Sequence, residues 1–176
     1  MAFTGFPDEA FALYGRLATD NSRTFWLENK PIFERAVRGP MVELTEALAD
    51  YGPFHIFRPN RDVRFSKDKT PYKDHMGAYG ESQGGAGFYI QLGAGGMFTG
   101  TGYYDMAADQ LERFRAAIDA DATGADLAAC CAVLERKGMR LGAMSELKTA
   151  PRGFPKDHPR IELLRRKGLF AAQDWP

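Results

Sequence analysis

The chain has 176 residues, 44% of them hydrophobic and 26% charged, as expected for one soluble globular domain with a single hydrophobic core. Lysine plus arginine numbers 23, as does aspartate plus glutamate, so no whole-protein field attracts nucleic acid or a membrane surface. The adjacent cysteines Cys130 and Cys131 exclude a disulfide framework, and we interpret them as helix residues of which at least one is buried.

The N-terminal residues lack the basic and apolar regions of a signal peptide, and no apolar run has transmembrane length. We therefore expect no membrane association and a location in the cytoplasm of a bacterium-like cell. The three histidines follow no zinc-ligand spacing, so we expect no metal and no cofactor.

The first third of the chain predicts helices. One begins after Pro7, with acidic residues in its first turn, and a second is capped by Asn21 or Ser22. Pro31 predicts the start of a longer helical segment, which Gly39-Pro40 should kink or divide.

The middle third predicts strands. Residues 55–58 and 75–79 read as short strands on either side of a basic segment. Residues 88–92 alternate apolar and polar side chains, and a glycine-rich turn leads into a returning strand at 97–104.

The last third predicts helices near residues 107–118 and 126–137, a short strand at Leu147, and a last helix ended by Gly168. Helices flank a central run of strands without βαβ alternation. The pattern predicts an α+β fold, with a mainly antiparallel sheet on which N-terminal and C-terminal helices pack. We expect one domain spanning residues 1–176.

The most informative feature is the basic segment, Arg58–Lys73, in which six cations accompany two anions. Guanidinium groups bind carboxylate and phosphate through a planar fork, and ammonium groups add point charge. Val63 and Phe65 alternate with the cations, which predicts that the segment is anchored to the core. The predicted ligand-binding residues are Arg58, Arg61, Arg64, Ser66, Lys69, Lys73 and Arg152. The alternative is a solvated loop whose charges pair with one another.

Arg152 belongs to a second cationic cluster in the sequence PRGFPKDHPR, residues 151–160. It reads either as a turn leading into a helix or as a second wall of the same anion pocket. No catalytic residue is identified, and the candidates for proton transfer are Asp62, Tyr72 and His75. The glycine-rich residues 92–102 match neither a dinucleotide nor a P-loop motif, and Gly100 and Gly102 permit a bulge or a close backbone approach.

The sequence FRPNRDVRFSKDKTPYKDHMGAY, residues 57–79, resembles the central signature of an uncharacterised bacterial and fungal domain-of-unknown-function family of conserved hypothetical proteins. NSRTFWLENK (21–30), FYIQLGAGGMFTGTGYY (88–104) and PRGFPKDHP (151–159) are similar to further family segments in the same order. The chain departs from the family pattern at Thr24-Phe25-Trp26, where the family has an acid followed by Trp-Phe. The resemblance implies that residues 61–73 are a defining element of the family. It also implies that members continue past Pro176 with a C-terminal helical extension. It implies no activity.

Three functions remain open. The first is binding of, or action on, a small phosphate- or carboxylate-bearing ligand by the basic segment. The second is a nucleic-acid-binding module, since aromatic residues interleave with the cations, although the neutral total charge and missing module signature count against it. The third is a partner-binding or scaffold domain in which the signature holds the fold. The sequence does not distinguish an enzyme from a binding protein, and it does not predict an oligomeric state.

Overall fold

The computed structural model describes residues 3–65 and 67–176, so Ser66 lies outside the described residues. The helices are α1 (Asp8–Thr19), α2 (Arg23–Ile32), α3 (Gly39–Ala47), α4 (Ala108–Asp119), α5 (Asp121–Arg136) and α6 (Ile161–Arg165). The strands are β1 (Phe54–Ile56), β2 (His75–Glu81), β3 (Gly87–Gly93), β4 (Gly96–Tyr103), β5 (Arg140–Gly142) and β6 (Leu169–Trp175).

The strands form one six-stranded antiparallel sheet in the order β1-β2-β3-β4-β6-β5, and helices complete an α+β fold. This confirms the predicted fold class. The chain divides into two compact units, Met1–Thr99 with Asp174–Pro176, and Gly100–Gln173. The first has a core that includes residues of α1, β2 and β3, and the second has a smaller core around α4, α5 and α6.

The N-terminal helices follow the sequence except at Pro31. Helix α1 begins after Pro7, and the Ser22 hydroxyl caps α2 by accepting a 3.1 Å hydrogen bond from the Phe25 amide. The prediction that Pro31 begins a helix is wrong, because the Phe33 amide bonds to the carbonyls of Asn29 and Lys30 and the helix continues past the proline.

Between α2 and α3 the chain forms a π-helix, Phe33–Arg38. The Gly39 amide bonds to the Glu34 carbonyl five residues earlier, and α3 then begins at Gly39 with proline in its first turn. Gly39-Pro40 therefore marks the change from the π-helix to α3, but the backbone stays helical on both sides, so the segment is not divided there. The π-helix places Arg38 at the end of the wider turn, a geometry that often marks functional positions.

The predicted hairpin is confirmed as β3 and β4, and the two flanking predictions are close to β1 and β2. The predicted end of the last helix is wrong, because α6 stops at Arg165 and β6 begins at Leu169. At Leu147 the structure has an isolated bridge between Glu146 and Arg166 in place of a strand.

Glycines allow two close approaches in the sheet. A Cβ at Gly77 would lie 3.1 Å from the Phe57 ring, so glycine lets this ring rest on β2. Gly102 has φ +142°, and a Cβ there would collide with the Leu169 carbonyl, which confirms the predicted close backbone approach. Cys131 is buried and Cys130 exposed, as expected.

Candidate anion-binding site

The basic segment continues the hairpin formed by β1 and β2. The Lys73 amide donates to the Pro59 carbonyl and the Arg61 amide donates to the Pro71 carbonyl, both at 2.8 Å, and Asn60 and Tyr72 form an antiparallel bridge. The ends of the segment are thus fixed by backbone pairing.

Tyr72 holds this base to the core. Its ring is 6% exposed and stacks on Trp26 with a centroid distance of 4.4 Å and an interplanar angle of 15°. The Asn21 side chain donates to the Tyr72 carbonyl at 3.1 Å and accepts from the Tyr72 amide at 3.0 Å. Two segments that resemble the family pattern therefore meet at this point, and the contact they make is structural.

Three cations of the segment bind partners within the segment itself. Arg64 binds both carboxylate oxygens of Asp62, at 3.0 and 2.7 Å, and Arg61 pairs with Asp68 at 3.0 Å. The Lys69 ammonium donates to the Val63 carbonyl at 2.8 Å. The hydrogen bonds from Arg64 lower the pKa of Asp62, which leaves it poorly suited to accept a proton near neutral pH.

The tip of the segment is not anchored through Phe65. This ring is 95% exposed and contacts the Arg64 guanidinium at 5.9 Å, so the expected core contact is wrong. The physical reason is local: the Asp62 and Asp68 side chains bond to the amides of Arg64 and Thr70, which makes two turns and ends the strand-like alternation.

A pocket of about 380 Å³ lies beside the base of the segment. It is lined by Arg38, His55, Ile56, Phe57, Arg58, Pro59 and Lys73. Of the predicted ligand-binding residues, Arg58 and Lys73 line it. Arg38 also lines the pocket but was not predicted, because it lies in a helical segment twenty residues before Arg58 and only the tertiary fold brings it close to β1.

The electrostatics of the pocket are dominated by positive charge. Burial lowers the pKa of Lys73, and the charges of Arg58 and Arg61 lower it further. In the described part of the chain, no ion pair joins a carboxylate to Arg58 or Lys73. Arg38 has a partner in Glu34, at 3.6 Å and with both side chains half exposed. The Lys73 ammonium lies 5.3 Å from the centroid of the Phe57 ring.

The three candidates for proton transfer have different surroundings. Asp62 is held by Arg64, and the Tyr72 ring is buried against Trp26. His75 has its Nδ1 atom 2.8 Å from the Asp74 carboxylate and keeps 30% of its side chain exposed. The hydrogen bond from His75 lowers the pKa of Asp74. Of the three, His75 has the geometry closest to that of a base oriented by a carboxylate.

The second cationic cluster lies in the other unit, and two of its members have structural partners there. Arg160 donates to the Ile118 and Asp119 carbonyls at 2.6 and 2.9 Å, and so satisfies the C-terminal end of α4. His158 is buried, with its Nε2 atom 3.2 Å from Asp119. Arg152 is exposed, and its participation in the anion site stays a prediction.

In residues 3–65 and 67–176, no group of three or more His, Cys, Asp or Glu side chains is arranged to hold a metal ion. Within the same residues, none of the helices combines the length and the apolar character needed to cross a bilayer.

These observations define a class of protein: an α+β fold with a cationic pocket beside the base of a hairpin that backbone pairing fixes. The chain belongs to the conserved hypothetical protein family DUF2461, whose sequence profile matches residues 9–176. This confirms the family resemblance. Neither a curated protein nor a solved structure matches the chain.

Proposed function

We propose that this protein binds a small phosphate- or carboxylate-bearing ligand in the pocket beside the basic segment. The observation that carries the proposal is that Arg58 and Lys73 line one pocket and that neither is in an ion pair among the described residues. Like charges that are held together raise the energy of the empty site, and a bound anion would lower it.

Three of the four remaining cations of the segment have a supporting role in this proposal. Arg61 and Arg64 pair with acids of the same segment, and Lys69 bonds to its backbone. They stabilise the fold of the hairpin tip and add to the local positive potential. Preorganised backbone at Pro59 and Lys73 keeps the pocket side chains in place, as a binding site requires.

Isothermal titration calorimetry with inorganic phosphate and with citrate tests the proposal. Arg58→Gln and Lys73→Gln should each weaken anion binding roughly 10- to 100-fold, since a hydrogen bond to a charged group contributes about 1.5–3 kcal/mol. Lys67→Gln is the matched control, because Lys67 is exposed and does not line the pocket. Equal affinities for all four proteins, or no binding to the wild type, would contradict the proposal.

One observation favours partner binding as a second candidate. Phe65 is 95% exposed at a basic tip, and an exposed aromatic ring beside arginine is typical of interface anchors. The burial of Tyr72 leaves fewer rings for a nucleic-acid stacking platform. Fluorescence anisotropy with a labelled oligothymidine distinguishes a protein-binding surface from a nucleic-acid-binding module. A nucleic-acid-binding module would bind the oligonucleotide with a steep salt dependence, and Phe65→Ala would weaken that binding.

A further inference from the structure

We infer that the pocket selects a small phosphate monoester, a doubly charged head group joined to an apolar or flat body, over singly charged ligands. This inference rests on the proposed function and names the ligand class of the same site. It follows from the number of unpaired charges in the pocket and from the side chains opposite them.

The first step is the charge of the pocket. Four cations lie in or near it, and two of them are paired: Arg38 with Glu34, and Arg61 with Asp68. Arg58 and Lys73 form no ion pair among the described residues, although the charge of Arg58 helps to lower the pKa of Asp62, a carboxylate that Arg64 already binds. Two positive charges are therefore left for a ligand. A monoanion neutralises one of them, whereas a dianion neutralises both.

The second step is the mutual effect of those charges. Arg58 and Arg61 both lower the pKa of Lys73, after the larger effect of burial. No carboxylate contributes in the opposite direction at Lys73. The empty pocket therefore holds repelling charges, and the gain on binding increases with the charge of the ligand.

The third step is the shape of the donors. Arg58 offers a planar fork for two oxygens, and Lys73 offers a point charge for a third. A phosphate monoester has three terminal oxygens, whereas a carboxylate has two. With a second pKa near 6, the monoester carries almost two charges above neutral pH.

The fourth step is the apolar wall. His55 and Phe57 line the same pocket, and their rings meet edge to face at a centroid distance of 5.3 Å, whereas the Ile56 side chain packs against the core. A ring or short alkyl group attached to the phosphate would pack on this wall. The volume of about 380 Å³ suits a small metabolite, since pockets for small molecules span roughly 300–1,000 Å³.

Phenyl phosphate and phenyl sulfate form a matched pair of probes, because they share shape and ring but carry about two charges and one. Calorimetric titration of the full chain at pH 7.5 should give about tenfold tighter binding of phenyl phosphate than of phenyl sulfate. Inorganic phosphate, which lacks the ring, should bind more weakly than phenyl phosphate.

Removing one pocket charge should remove the selectivity. Lys73→Met removes the charge and keeps a long unbranched side chain, and the ratio of the two affinities should fall close to one in this variant. Arg58→Gln is a second variant with the same expected result, and Lys67→Met should keep the wild-type ratio. Circular dichroism verifies that each variant is folded.

The outcomes separate the inference from the proposed function. Equal binding of phenyl phosphate and phenyl sulfate would overturn the selection of a dianion and leave an anion pocket. Equal binding of phenyl phosphate and inorganic phosphate would overturn the inference that the apolar wall contributes to binding. No binding of any probe would overturn the proposed function and this inference together.

Discussion

Lys73 shows at the scale of a single residue how a cation placed for the proposed ligand costs stability. Its ammonium is partly buried and lies near two guanidinium groups, so folding lowers its pKa. The folded state therefore binds this proton less tightly than the unfolded state does. The charged form costs stability at neutral pH, and the cost disappears as the pH rises past the unfolded pKa of about 10.4.

Lys73→Met should consequently stabilise the protein at pH 7. The variant loses the repulsion with Arg58 and also the attraction of the ammonium to the Phe57 ring, so the gain should stay within about 1 kcal/mol at this partly solvated site. Urea unfolding followed by tryptophan fluorescence measures the change. Lys67→Met, at an exposed position, should have no effect. A destabilised Lys73→Met variant would argue against charge repulsion in the pocket.

Asp74 should give the opposite pH dependence. Its pKa is lowered by the hydrogen bond from His75, so it stabilises the folded state above its unfolded pKa of about 3.9 and ceases to do so as the pH falls through the folded value. The wild type should be more stable than Asp74→Asn at pH 7, and the two should converge near pH 2. The difference should be below about 1 kcal/mol because the Asp74 side chain is 69% exposed. A difference that persists undiminished at pH 2 would refute this account.

At the scale of elements, the base of the basic segment depends on contacts distant in sequence. Asn21 precedes α2 and satisfies both the amide and the carbonyl of Tyr72. Trp26 of α2 stacks on the same residue. The hairpin that carries the pocket cations is therefore fixed by the N-terminal helices as well as by its own backbone pairs.

Asn21→Ala should destabilise the protein by about 1–3 kcal/mol, because it leaves the polar backbone of Tyr72 without its partners. Asn21→Asp should cost less, since an oxygen still accepts from the Tyr72 amide. Asn29→Ala is the control, because its side chain donates to the Phe25 carbonyl one helical turn earlier, within the same helix. Chemical denaturation measures the free energy of unfolding of each variant. Equal losses of stability in Asn21→Ala and Asn29→Ala would contradict the role of Asn21 in fixing the Tyr72 backbone.

Local pattern predicted the elements that are stabilised by local pairing. The alternation at residues 88–92 and the glycine-rich turn specify the hairpin of β3 and β4. Strand β6 was missed because residues 169–175 have no clear alternation and their pairing partners, β4 and β5, lie far along the chain. The π-helix was missed because its wider turn has no sequence period of its own.

The candidate site was predicted in part for the same reason. A high density of cations located the segment, but charge composition does not show which cations find partners nearby. Arg61 and Arg64 pair with Asp68 and Asp62 through side-chain geometry. Arg38 joins Arg58 only through the tertiary fold, so no local pattern marks it.

For the molecule as a whole, the two compact units have different sources of stability. The core of Met1–Thr99 with Asp174–Pro176 is built on helices and the face of β2 and β3. In Gly100–Gln173 the core is smaller, and hydrogen bonds from a partly buried arginine add to its stability. Arg160 donates to the last carbonyls of α4, and its side chain is 13% exposed.

Arg160→Met should destabilise the Gly100–Gln173 unit by about 1–3 kcal/mol, because it leaves the Ile118 and Asp119 carbonyls without their donor. Hydrogen exchange measured by mass spectrometry on peptides of α4 and α5 reports on this unit directly. Arg152→Met, at an exposed position, should leave exchange unchanged. Unchanged exchange in Arg160→Met would show that the hydrogen bonds from Arg160 to α4 contribute no stability.

The stacking of Trp26 on Tyr72 also gives the protein an internal optical reporter. Trp26 is 6% exposed, whereas the other tryptophan, Trp175, is 48% exposed, so the two emit in different environments. Tyr72 is joined directly to Lys73, which lines the pocket. A ligand that draws Lys73 inward would shift the adjoining ring and alter the emission of Trp26, so occupancy of the pocket becomes visible in the unlabelled protein.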